Sequence, residues 1–159
     1  MTNSHSDNPA QRCTVLVVDD DRNIRAILAR WLMAEGYAVI TAEAAEEALS
    51  ICRECVIDIA LCDVMLPGLS GTWLAGQIQQ VSPRTQIIFA TADEHMAPAD
   101  TLKPGVVGYV VKPFERDDFF TAVDRARHAA EYLCRLAPAP RLPDVRVRSL
   151  SQGKDGLKG

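Results

Sequence analysis

Three carboxylates stand side by side in "VLVVDDD", residues 15–21, where four apolar residues run directly into Asp19, Asp20 and Asp21. Crowded carboxylates repel one another, which favours protonation unless a cation compensates. A hard divalent ion suits such an oxygen-rich group. Mg2+ takes one or two protein carboxylates, keeps several waters and completes its shell with phosphate oxygens. A further acid, Asp63, ends a second apolar run, Thr91 ends a third and Lys112 a fourth. A carboxylate is also a nucleophile toward phosphorus and forms aspartyl phosphates. That transfer needs positioning and charge neutralisation more than covalent machinery. Asp19, Asp20 and Asp63 fit a Mg2+ site. The metal, the Lys112 ammonium and the Thr91 hydroxyl would together hold three phosphoryl oxygens on Asp63. Asp21, one step further, is placed to cap a helix beginning at Arg22.

The elements that must position these groups follow from the hydrophobic pattern. Five apolar runs, residues 13–18, 37–41, 57–62, 85–90 and 106–111, alternate with amphipathic stretches. Several are apolar on consecutive residues, the pattern of parallel strands buried on both faces. Ile24, Ile27, Leu28, Trp31 and Leu32 follow the i, i+3, i+4, i+7, i+8 spacing of a helix, with Arg22, Arg25 and Arg30 off that stripe. Ala45, Ala48, Leu49 and Cys52 repeat the spacing in a second helix that starts near Thr41. Ser70 caps a third carrying Leu74, Ile78 and Val81. A last helix, after Pro113, carries Phe119, Val123, Ala126, Ala130 and Leu133. In the fourth inter-strand segment, "ADEHMAPADTLKPG", Pro98 and Pro104 allow only a short or irregular helix. Alternating strands and helices with short loops predict a right-handed, doubly wound α/β domain over residues 12–135. In such a sheet all strand ends lie along one edge, and ligands bind in the crevice there. Four strand ends thus deliver carboxylates, a hydroxyl and an ammonium to one small region.

Composition narrows the function classes. The chain has 159 residues, of which 48% are hydrophobic, enough for one domain with a substantial core. No apolar run approaches the ~20 residues of a membrane helix, and "MTNSHSDNPAQR" has no signal-peptide core, so a cytoplasmic protein is expected. A net charge of −4 argues against a nucleic-acid-coating surface. Five cysteines are an odd number for a disulfide framework. Cys52 and Cys55 form a lone "CREC" far in sequence from His5, His95 and His128, which reads as two thiols at a helix end rather than a zinc site. Residues 1–11 read as a disordered segment. Residues 136–159, rich in Pro, Gly, Arg and Lys, read as a disordered tail or linker.

Taken together, "VLVVDDD", "CDVMLPGLSG", "FATA" and "GYVVKPF" resemble, in order and spacing, the motifs of two-component response-regulator receiver domains, over about residues 13–135. The resemblance implies a flavodoxin-like (βα)5 fold, a five-stranded parallel sheet in order 2-1-3-4-5 with helices on both faces. It implies that Asp63 accepts a phosphoryl group from a sensor histidine kinase or phosphotransfer protein. Asp20 and Asp63 would ligate Mg2+ directly, Asp19 through water, and the Met65 backbone carbonyl would add a ligand. Thr91 would bond the phosphoryl group and Lys112 would pair with it. Pro113 would follow a cis peptide bond. Tyr109 matches the family's switch aromatic, turning inward as Thr91 moves toward the phosphate and so remodelling the surface of the fourth inter-strand helix, the fifth strand and the last helix. Met65 and Asp93, each two residues past a site residue, occupy positions that influence phosphate lifetime. The "LSG" that ends at Gly71 lacks the acid common in the family before that glycine. The broken fourth segment weakens the carry-over of the usual dimerisation mode, though a phosphorylation-linked dimer remains allowed.

Each of these residues also has an ordinary reading. Asp19–Asp21 would serve as a polar loop after a strand, Thr91 as a helix cap, and Lys112 as a surface lysine. Tyr109 would suit a strand in any case. At the level of function, the leading expectation is a phosphorylation switch acting on a downstream protein, neither a turnover enzyme nor a DNA binder. Against it stand a phosphohydrolase built on Asp19 and Asp21, a nucleic-acid binder using Arg141, Arg146 and Arg148, and a pseudo-receiver that is never phosphorylated.

Overall fold

The computed structural model describes residues 13–92 and 103–136. The expected N-terminal segment, the irregular helix with Asp93, and the tail with its arginines lie outside the described residues. Five strands, β1 (Thr14–Val18), β2 (Ala38–Ala42), β3 (Ile59–Asp63), β4 (Gln86–Thr91) and β5 (Val106–Val111), pair in parallel in the order β2-β1-β3-β4-β5. Four described helices accompany them: α1 (Arg22–Ala34), α2 (Ala45–Glu54), α3 (Gly71–Val81) and α4 (Arg116–Leu136). This is the expected flavodoxin-like order.

Alternation along the strands divides the core in two. Leu16, Val18, Ala60, Cys62, Ile87 and Phe89 face α2 and α3, meeting Ala48, Leu49, Leu74 and Ile78. Val15, Val17, Ile59, Leu61 and Ile88 face the other way, onto Leu28 and Leu32 of α1 and Phe119 and Val123 of α4. Central strands are therefore buried on both faces, which is why their sequences are continuously apolar. The edge strands β2 and β5 are only partly buried. Trp31 packs edge-on against Phe119, with ring centroids 5.7 Å apart, and Trp73 lies at the surface.

Two local expectations change. The second helix starts at Ala45, not near Thr41: Thr41 pairs with Val17 as part of β2, and the strand ladder takes it before a helix can. Ala44 offers that helix no side-chain cap, and Glu47 reaches back to accept from the Glu43 amide at 3.0 Å instead. Ile27, placed on the apolar stripe of α1, is 46% exposed, because the buried arc is centred on Leu28 and Leu32 and Ile27 falls at its margin.

Among the cysteines, Cys13, Cys52 and Cys62 are buried and Cys55 and Cys134 exposed, all as free thiols. Burial pushes Cys13 and Cys52 up to about 11, so both stay protonated at neutral pH. No helix among the described residues is long and apolar enough to cross a membrane.

Asp21 stands apart from its two acidic neighbours. Its Oδ1 accepts from the amides of Asn23 at 2.8 Å and Ile24 at 3.4 Å, capping α1. Asp21→Ala should therefore lower unfolding stability by about 1 kcal/mol, the usual cost of a lost N-cap. A urea titration with an unchanged slope checks this. No loss would show that the cap is dispensable.

Candidate functional site

Parallel register and two-residue alternation bring the site together. Val18 pairs with Cys62 and Asp63 with Ala90, so Asp19, one residue beyond β1, lies beside Asp63 at the end of β3. Thr91 pairs with Val111, so Lys112 follows one residue past β5. Counting from the core residues Val17, Leu61 and Val110, Asp19, Asp63 and Lys112 all fall on the α1–α4 side of the sheet. Three strands thus aim their charged groups at one point.

At that point the Lys112 Nζ donates to Asp19 Oδ2 at 2.7 Å and to Asp63 Oδ2 at 2.8 Å. Both carboxylates are nearly buried, and the Lys112 side chain is only one-fifth exposed. Burial works to lower the Lys112 pKa. The hydrogen bonds and negative charges of Asp19 and Asp63 outweigh it and hold the ammonium above the ordinary lysine value. The remaining oxygens are held by the main chain. Asp63 Oδ1 accepts from the Met65 amide at 2.9 Å and Asp19 Oδ1 from the Asp21 amide at 2.8 Å.

Asp20 completes the acidic group from an exposed position. One carboxylate oxygen from each of Asp19, Asp20 and Asp63 lies within 4.8 Å of the others. An all-oxygen donor set of this kind, open to water on the Asp20 side, fits Mg2+. The lysine between two of the acids marks how much positive charge the pocket demands.

The other expected residues sit around this centre. Thr91 is buried at the end of β4, its carbonyl accepting from the Lys112 amide at 2.7 Å. The Lys112–Pro113 peptide is cis. Tyr109 is 55% exposed on the edge strand β5, paired with Phe89 and, by alternation, on the same sheet face as Thr91. Met65, two residues past Asp63, is 75% exposed. Asp93 lies outside the described residues.

Two contributors were not singled out from the sequence. Gly71, the first residue of α3, lies so close to β3 that a Cβ there would collide with the Asp63 carbonyl. Its amide donates to the Val64 carbonyl at 3.1 Å, so α3 is docked against the main chain at the end of β3. A glycine at a helix start, where better helix formers are available, is the signal for such close approach. Arg25, assigned to the solvent face of α1, instead turns its Nη1 onto the Asp19 carbonyl at 2.6 Å.

The family model for the response regulator receiver domain matches residues 15–124. Over 117 residues the chain is 35% identical to the DNA-binding transcriptional regulator NtrC of Klebsiella pneumoniae, a match covering 73% of this chain and 25% of that protein. It is 32% identical over 113 residues to the transcriptional regulatory protein GlrR of Escherichia coli K12, covering 70% and 26%. The chain thus spans about a quarter of these curated relatives. Among solved structures, the response regulator TrrA of Thermotoga maritima in complex with Mg(2+)-BeF aligns with a TM-score of 0.66 and 36% identity, covering 72% of this chain and 98% of that one. A CheY-like receiver domain protein from Methanospirillum hungatei JF-1 aligns with a TM-score of 0.70 and 27% identity, covering 76% and 98%.

The lysine bridge sets a pH dependence. With its pKa raised in the fold, Lys112 contributes stability that is complete below about pH 10, the ordinary lysine range, and lost as pH rises through its raised value. Lys112→Ala leaves Asp19 and Asp63 facing each other with no cation between them. The expected deficit is about 2–3 kcal/mol at pH 7, below that of a fully buried pair. Denaturant titrations at pH 7 check it, and a variant as stable as wild type would refute the repulsion argument.

Proposed function

The chain belongs to the response regulator receiver domain family, and from that premise we propose that it is a phosphorylation switch whose acceptor is Asp63. The observation that carries this reading is the Lys112 ammonium 2.7 Å and 2.8 Å from Asp19 and Asp63, with Asp20 beside them. The proposed domain is residues 12–135, flanked by segments 1–11 and 136–159.

In the proposed reaction an Asp63 carboxylate oxygen attacks phosphorus. The new O–P bond forms as the donor's bond to phosphorus breaks, and the donor's leaving group keeps the electron pair. A histidine kinase or phosphotransfer protein, met in the cytoplasm, is the donor expected for the family. Asp19, Asp20, Asp63 and the Met65 carbonyl would hold Mg2+, which when bound neutralises phosphoryl charge. Lys112 sits where its ammonium can pass from the carboxylates to the transferred group, so positive charge is already in place as the phosphoryl oxygens arrive. Thr91, at the end of β4, would donate its hydroxyl to one of those oxygens. Tyr109, on the same sheet face, would then turn from its exposed position toward the space Thr91 leaves. That movement would alter the edge formed by β5 and α4, where a protein effector or a second copy would read it.

The phosphohydrolase alternative loses its second acid. Asp21 spends its carboxylate on capping α1, so it is not held toward Asp19 as a general acid. The relatives include a DNA-binding transcriptional regulator of which this chain spans a quarter. The expectation against DNA binding therefore concerns the receiver segment alone, and a DNA-directed output in a longer assembly is compatible with it.

Intact-mass spectrometry after incubation with Mg2+ and acetyl phosphate tests the acceptor. One phosphoryl adduct is expected, absent in Asp63→Asn and after EDTA. An adduct that persists in Asp63→Asn would move the acceptor elsewhere. No adduct together with no beryllofluoride binding would leave a pseudo-receiver, and multiple turnover of a phosphate ester would restore the hydrolase.

A further inference from the structure

Asp19 is held at every polar atom by a different part of the fold. Its amide donates to the Ala42 carbonyl at the end of β2, 3.2 Å away. Oδ1 accepts from the Asp21 amide and Oδ2 from Lys112. The fourth restraint, on its carbonyl, is the Arg25 guanidinium at 2.6 Å. That contact is short, as expected for a charge-assisted hydrogen bond, and the Arg25 side chain is only 16% exposed although it belongs to an exposed helix face. The same guanidinium faces Glu43 Oε2 at 3.8 Å, across the turn after β2. Arg25 also stands one helical turn past the cap, its amide donating to the Asp21 carbonyl at 3.0 Å. The arginine therefore ties both ends of the three-acid turn to α1.

We propose that Arg25 is a positioning residue of the acidic pocket: by gripping the Asp19 carbonyl it fixes the main chain from which Asp19 and Asp20 project, and so sets the affinity for a divalent cation. This rests on the reading of the pocket as a Mg2+ site. The carbonyl of Asp19 is also the start of the Asp20 peptide unit, so its rotation would swing the exposed Asp20 carboxylate. Lys112 holds Asp19 and Asp63, and among the described residues no lysine is bonded to Asp20, which Arg25 restrains through the backbone. Groups that orient a ligand without touching the ion commonly change metal affinity by 10–100-fold.

The test uses the full chain and Mg2+ alone as probe. Calorimetric titration with MgCl2, and the Mg2+ concentration giving half-maximal phosphorylation by acetyl phosphate, are measured for wild type, Arg25→Met, Arg25→Lys and Glu43→Gln. Arg25→Met should weaken Mg2+ binding by about 10-fold, with the phosphorylation rate at saturating Mg2+ nearly preserved. Arg25→Lys, which keeps a charged donor, should recover most of the loss, and Glu43→Gln should bind as wild type does. If Arg25→Met does not fold, Arg25→Gln is read in its place. An Arg25 variant that is less heat-stable yet binds Mg2+ as wild type does would overturn the inference alone. A wild-type protein that takes up no Mg2+ would overturn it together with the function it rests on.

Discussion

The structure turns on one ammonium placed between two buried carboxylates. Asp19 and Asp63 end adjacent strands in the same row, a placement that parallel pairing forces once Val18 meets Cys62. Left alone, two acids so close in a nearly dry setting would take up a proton or push the strand ends apart. Lys112 prevents both by arriving from β5, on the far side of β4, with a side chain long enough to reach across. The first, third and fifth strands are therefore linked at their ends by charge, over and above the sheet that joins them. The same arrangement suits phosphoryl transfer, because a group that balances two carboxylates is already where a dianionic phosphoryl group would need it.

That constraint explains features of the fold that have no other evident purpose. α3 could begin further from β3 with a better helix former than glycine. Gly71 instead lets it dock on the Asp63 main chain, which holds the loop after β3 against the sheet. Asp21 could face the pocket like its neighbours, yet its carboxylate starts α1, and its amide holds Asp19. The three acids of "VLVVDDD" thus divide into one buried and paired, one exposed and available, and one structural. Their likeness in sequence conceals three environments.

How much of this was legible in the sequence depends on the distance over which each signal acts. The strands were readable because burial on both faces leaves an uninterrupted apolar run, and the sheet edge was readable because parallel strands share a direction. Asp19, Asp63, Thr91 and Lys112 could be named from their position at strand ends. The start of α2 was misplaced because Thr41 has a choice between helix and strand that only the ladder with β1 decides. Ile27 was put inside because a stripe of i, i+3 and i+4 spacings is wider than the arc the sheet covers.

Arg25 was the instructive omission. Helical periodicity assigns a residue to a face, and Arg25 does lie off the buried stripe of α1. A long side chain is not confined to its own face, however, and its charged head can travel several ångströms to an acceptor. Here the acceptor is a backbone carbonyl, which carries no residue-type signature and leaves no trace in a motif. The pocket's side chains can be recognised by their types, while the groups that aim its main chain must be found in the fold. An arginine six residues after the first acid, one turn into the helix that the third acid caps, is where the backbone of the acidic turn comes within reach. The rigidity of the pocket then depends on helix α1 as much as on the strands, and anything that displaced α1 would act on the acidic turn through that hydrogen bond as well as through the Asp21 cap.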